Sequence, residues 1–123
     1  MEVVYTPNAP EAIGPYSQAI KAGNLVFTSG QIPIDPSTGA VEAVTIEQQT
    51  EQVCKNIAAV LEAAGSSLEK VVKTVCFLSD MNDFAAFNGV YSKYFTGKPA
   101  RSCVAVKTLP KNVLVEVDTV AEI

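Results

Sequence analysis

The sequence predicts a domain of the α/β or α+β class: a sheet with two amphipathic helices packed on one side. Three observations carry this. The first third and the last quarter of the chain hold short, valine-rich, alternating runs typical of strands. Two central segments repeat apolar residues at helical spacing. A buried strand separates those segments, and two one-sided helices need a sheet face to cover. With 123 residues, the chain is read as a single domain spanning 1–123.

In chain order, Gln18–Lys21 and Leu25–Ser29 flank Gly23-Asn24, a hairpin turn. Asp35-Pro-Ser-Thr-Gly39 is a second turn signal. Thr45 opens the first helix, with Gln48 three residues later as its capping-box partner. Ile46, Val53, Ile57, Val60, Leu61 and Ala64 form its stripe, and Gly65 ends it. Val71–Leu78 is a buried strand. Asp80 or Asn82 caps a second helix whose stripe is Phe84, Phe87, Tyr91 and Phe95, and Gly97-Lys-Pro99 stops it. Strands in the runs Pro99–Pro110 and Val113–Val117 finish the chain. Both helices on one side leave the other sheet face apolar and open, and packing against identical subunits is its simplest cover.

Composition removes several classes of chemistry. The net charge of −4 offers no footing for general nucleic-acid binding, so no nucleic-acid partner is expected. No apolar run is long enough for a membrane span, and Met1–Tyr5 does not open a secretory signal, so the cytosol is the expected location. Cys54, Cys76 and Cys103 are odd in number and far apart, which suits free thiols. With no histidine and no cysteine pair, neither a structural zinc site nor a histidine-dependent triad can be assembled.

What remains is the grouping of Arg101, Cys103 and Glu116. An arginine at the start of one strand and a glutamate inside another are costly to bury without partners. A guanidinium fork fits a small carboxylate, and a carboxylate can hold and deprotonate water. The pair suggests a pocket for a small organic acid, with Arg101 lowering the Glu116 pKa. Taken one at a time, these residues have plainer readings. Arg101 reads as a structural ion-pair arginine, Glu116 as an exposed strand position and Cys103 as a small core hydrophobe. Tyr16, after Gly14-Pro15, reads as a space-filler beside a turn. Ser29-Gly30 reads as a strand end, and Asn88 as a surface amide.

Several segments together resemble the Rid family of reactive-intermediate imine/enamine deaminases. They are Ala12-Ile-Gly-Pro-Tyr-Ser-Gln-Ala19, Phe27-Thr-Ser-Gly-Gln31, Phe87-Asn88 with Tyr91, Pro99-Ala-Arg-Ser-Cys-Val104, Leu109-Pro110 and Val115-Glu116. They cover almost the whole chain in order. The resemblance implies a chorismate-mutase-like fold and a homotrimer with sites in the clefts between subunits. It implies hydrolysis of 2-imino acids to 2-oxo acids and ammonia without a metal or organic cofactor. Carried over by position, Arg101 binds the substrate carboxylate and Glu116 positions the attacking water. Cys103 contacts the imine nitrogen through its backbone; Tyr16, Ser29 and Gly30 line the pocket; Asn88 supports it and Pro110 walls it. Ala105 stands where many relatives carry a glutamate, which puts a trimer salt bridge in doubt. Two other readings keep the same pocket or family: a non-catalytic sensor of 2-oxo acids, and an endoribonuclease or translation inhibitor.

Overall fold

The computed structural model describes all residues, Met1–Ile123. Eight main elements follow one another: β1 (Glu2–Val4), β2 (Ala19–Ala22), β3 (Leu25–Thr28), α1 (Ile46–Ala63), β4 (Val71–Leu78), α2 (Phe84–Tyr94), β5 (Ala100–Ala105) and β6 (Val115–Glu122). The strands form one six-stranded mixed sheet in the order β1-β2-β3-β6-β4-β5. Only β4 and β5 run parallel, joined through α2; every other neighbouring pair is antiparallel. The fold is thus α+β with a mixed sheet, one of the two classes the patterning allows.

Side-chain alternation along β6 fixes the two faces. Val115, Val117, Thr119 and Ala121 are buried, whereas Glu116, Asp118 and Val120 are half-buried on the other side. The buried set meets Val53, Ile57, Val60 and Leu61 of α1 and Phe87 of α2 in one core. The opposite face has no cover within the chain. It carries Ile20, Phe27, Val75, Phe77, Val104 and Val120, with Phe27 and Val104 exposed. Covering an exposed side chain of that size is worth roughly 1.5–3 kcal/mol, so this face has much to gain from a second surface.

The helices begin and end where local chemistry requires. Thr45 accepts from the Gln48 backbone N–H while the Gln48 side chain accepts from the Thr45 N–H. At the other end Gly65 lies at φ +83°; its N–H reaches the Glu62 carbonyl and the Ser66 N–H reaches Leu61. Between the two alternatives at the second helix, Asp80 caps. It accepts from the Asn82 N–H and closes a 3₁₀ turn, Met81–Asp83, that runs into α2. Phe95 belongs to the apolar stripe but sits just past the last helical turn. The short edge strand β1 is not foreshadowed by the sequence pattern. Gln18 precedes β2 rather than belonging to it, and its buried amide binds the Thr6 backbone and the Pro10 carbonyl. No helix is long and apolar enough to cross a membrane.

Candidate functional site

The parallel β4–β5 pairing decides where Arg101 points. Thr74 lies beside Arg101 and Cys76 beside Cys103, so all four side chains share the helix-covered face. There the Arg101 guanidinium donates to Asn88 Oδ1 at 2.7 Å. It lies 4.8 Å from the Tyr91 ring centre and 5.5 Å from that of Phe84. Phe84, Asn88 and Tyr91 stand at i, i+4 and i+7 of α2, one face of one helix. Tyr91 is itself fixed, its hydroxyl bonded to Thr74 Oγ1 at 2.8 Å. The two ion pairs of the chain are Lys21–Glu2 and Lys55–Glu51. Arg101 therefore has no carboxylate partner, and the structural ion-pair reading is set aside. A half-buried guanidinium held by an amide and two rings presents free donors to an open depression of about 580 Å³. Asn88, Tyr91, Ser92, Lys98 and Pro99 also line that depression.

Glu116 stands elsewhere. It pairs with Phe77 across the antiparallel β4–β6 ladder and so projects from the uncovered face. Around it a second cleft, about 350 Å³, is lined by Tyr16, Ser29, Gly30, Ile32 and Pro110. Gly30 is required here: a Cβ at that position would overlap the carboxylate and lie 2.9 Å from Glu116 Cδ. Ser29 Oγ is spent on the Ser17 carbonyl. Tyr16 is 53% exposed, its hydroxyl within 3.4 Å of the Ile13 N–H. Pro110 opens a short turn in which Lys111 and Asn112 take positive φ.

Burial, and then the Asp118 carboxylate, hold the Glu116 carboxyl above its ordinary value. Within one protomer Arg101 takes no part in this shift. Two strand spacings and three residues separate the two positions, about 14 Å between backbones, and the side chains leave opposite faces. Within one protomer no small acid can touch both. The chain thus carries two half-sites: a guanidinium half at the β5 edge and a carboxylate half on the open face. Of the residues singled out from the sequence, Arg101, Asn88 and Cys103 fall with the first. Tyr16, Ser29, Gly30, Pro110 and Glu116 fall with the second.

Cys103 is half-buried. Burial raises its thiol pKa and Arg101 lowers it, leaving it raised. Cys54 and Cys76 are buried, with thiols pushed up to about 12 mainly by burial, and they are packing residues. The sequence reading placed Phe84 and Tyr91 in the core and overlooked their role as the platform under Arg101. Their i, i+4, i+7 spacing with Asn88 was the available signal. Ile32 was also missed; nothing in its immediate sequence marks it.

Comparison with known proteins supports a family assignment. A family profile described as endoribonuclease L-PSP matches residues 6–123. A RutC family protein of Pyrococcus horikoshii is 58% identical, over 98% of this chain and 96% of its own. A Salmonella typhimurium protein named 2-iminobutanoate/2-iminopropanoate deaminase is 48% identical, over 98% and 96% respectively. Among solved structures, a Yersinia pestis member of the conserved Rid protein family superposes with a TM-score of 0.96. It is 49% identical, over 99% of this chain and 98% of that one. Order of elements and these likenesses agree: the chain belongs to the Rid family.

Proposed function

We propose that this protein hydrolyses small 2-imino acids, 2-iminobutanoate and 2-iminopropanoate, to 2-oxo acids and ammonia. We further propose that it acts as a cytosolic homotrimer needing no metal or organic cofactor. The observation that carries the reading is Arg101: rigidly seated, open on one side and without a carboxylate of its own. Such a group is a receptor for a carboxylate, which it grips through parallel hydrogen bonds. Assembly supplies the missing half. When the open sheet face of one copy meets the β5 edge of the next, the Glu116 cleft can close over the Arg101 depression.

The chemistry asks little of such a site. An imine carbon beside a carboxylate is already electrophilic, so orientation and one base suffice. Glu116 accepts a proton from water as its oxygen bonds to the imine carbon, and the electron pair of the C=N bond moves to nitrogen. Glu116 hands that proton to the nitrogen, giving the neutral carbinolamine; it then takes the hydroxyl proton and passes it to the amine, so that the carbonyl forms as the C–N bond breaks and ammonia leaves. Backbone donors beside Cys103 steady the nitrogen. A carboxyl held above its ordinary pKa is a stronger base once ionised, which suits this role. A purely regulatory 2-oxo acid sensor would need Arg101 but has no use for a half-buried Glu116 kept clear by Gly30. Nucleic-acid cleavage has support in the names of the matched family profile and of some solved relatives, but the chain has no histidine and a net charge of −4.

The test couples a threonine dehydratase to 2-oxobutanoate detection with semicarbazide present as an amine trap. Added protein should accelerate 2-oxobutanoate release. No acceleration, alongside measurable 2-oxobutanoate binding, would reassign the protein as a sensor.

A further inference from the structure

One polar side chain in the core does not fit a helix stripe. Asn56 sits mid-α1 among Val53, Ile57 and Val60 and is 1% exposed. Asparagine is a weak helix former, and a buried amide is costly unless its hydrogen bonds are made. Here both donors and the acceptor are engaged, and the two donors point in one direction. Nδ2 donates to the Ile32 carbonyl at 3.1 Å and to the Ile34 carbonyl at 2.9 Å. Oδ1 accepts from Gln52 at 2.9 Å.

The segment it holds, residues 29–34, belongs to no strand and carries Gly30 and Ile32. Its other side is tied to β6 by a single bridge: Gln31 N–H to the Val117 carbonyl at 2.8 Å, and Val117 N–H back to Gln31 at 3.2 Å. Val117 follows Glu116 directly. The segment is therefore clamped between a helix amide and the strand that bears the base, and Gly30 is pressed against the carboxylate.

We infer that Asn56 is a positioning residue for Glu116: by holding the Ile32 and Ile34 carbonyls it keeps Gly30 against the carboxylate and fixes where water is aimed. This rests on the imine-hydrolysis reading above. Asn56 touches neither the Arg101 half nor any reacting atom, so its loss should spare ligand binding and damage turnover. Release of the segment also admits water beside Glu116 and weakens the burial that raises its pKa. The charged groups near it are Asp118 on β6, Lys73 of β4 facing Asp118, Glu11 and Lys111 lining the adjoining cleft, and, in the proposed assembly, Arg101 of a neighbouring copy. None of them moves with Asn56.

The experiment compares wild type, Asn56→Leu and Val60→Ala, a buried change on the same helix at a side chain that makes no hydrogen bond to the segment. Readouts are kcat, 2-oxobutanoate affinity and the acidic limb of the kcat–pH profile. For Asn56→Leu we expect kcat down by about 10- to 100-fold, affinity within about twofold, and the acidic limb displaced to lower pH. Val60→Ala should lower the unfolding midpoint comparably without moving the limb. Should Asn56→Leu not fold, Asn56→Ser leaves room for a water to bridge the two carbonyls and is judged by the same readouts. An active Asn56 variant with an unmoved limb and wild-type kcat would overturn the inference alone. A limb that shifts equally in Val60→Ala would do so too, exposing a general stability effect. Wild-type protein unable to hydrolyse the imine would overturn the reading beneath it, and the inference with it.

Discussion

At the scale of single residues, three side chains divide the work, and each division can be measured. Arg101 offers a planar fork on a fixed platform. Arg101→Ala should lower kcat/KM by roughly 10²–10³, the worth of two charge-assisted hydrogen bonds. Arg101→Lys should recover little of it, because an ammonium cannot present the same parallel donors to a carboxylate. Steady-state kinetics with the coupled dehydratase reads both. Glu116→Gln keeps the shape and removes the base, so 2-oxo acid binding should persist while kcat falls by about 10²–10⁴. The pH dependence has a definite sign. The base works ionised, so kcat rises as pH rises through the Glu116 pKa. With the substrate carboxylate neutralising Arg101, burial and Asp118 govern that pKa and put the limb above the ordinary carboxylate range. A kcat limb at or below that range would mean another charge controls the group. Gly30→Ala tests the close approach itself. The added methyl must displace the Glu116 carboxylate, so turnover should drop by about 10²-fold with little change in the unfolding midpoint.

At the scale of elements, stability resides in local signals that can be removed singly. Thr45→Ala breaks a reciprocal cap and should cost about 1 kcal/mol. Gly65→Ala forces a Cβ into left-handed backbone at φ +83° and should cost about the same. Denaturant unfolding at constant m-value checks both. These are also the features most legible in the sequence, because each is encoded within a few neighbouring residues: the Thr45/Gln48 box, Gly65, the Gly23-Asn24 turn and the stripe of α1. The edge strand β1 was not legible, since three residues of a sheet edge carry no periodicity of their own and owe their conformation to pairing with β2. The site divides the same way. Arg101, Glu116, Gly30 and Tyr16 stand in motifs and can be picked out by residue type. Which sheet face each occupies depends on strand register, and register is a long-range property: Arg101 faces the helices only because Thr74 is its neighbour. For that reason Arg101 does not act on Glu116 within one protomer. Nor does the sequence around Asn56 point to Ile32 and Ile34, which lie more than twenty residues earlier in the chain.

At the scale of the whole molecule, the proposed reaction together with the division into half-sites makes assembly a catalytic requirement. A face bearing Phe27, Phe77, Val104 and Val120 would be buried by a second copy, and the same contact can bring one chain's Glu116 to another's Arg101. Sedimentation should therefore give a trimer at working concentrations, and dilution to monomer should abolish turnover. A sharper consequence concerns mixtures. Neither Arg101→Ala nor Glu116→Gln protein should turn over appreciably alone. Unfolded together in equal amounts and refolded, they form mixed assemblies. In these, a cleft taking its arginine from one variant and its glutamate from the other is wild type in both halves. Random assembly gives each cleft an intact arginine half the time and, independently, an intact glutamate half the time. About a quarter of wild-type activity should then return, given one donor of each kind per cleft. A site built within one chain predicts no recovery at any ratio, because every protomer would still lack one of its two groups. Activity near a quarter, falling on either side of the equal mixture, is the pattern that a cleft between neighbours alone produces.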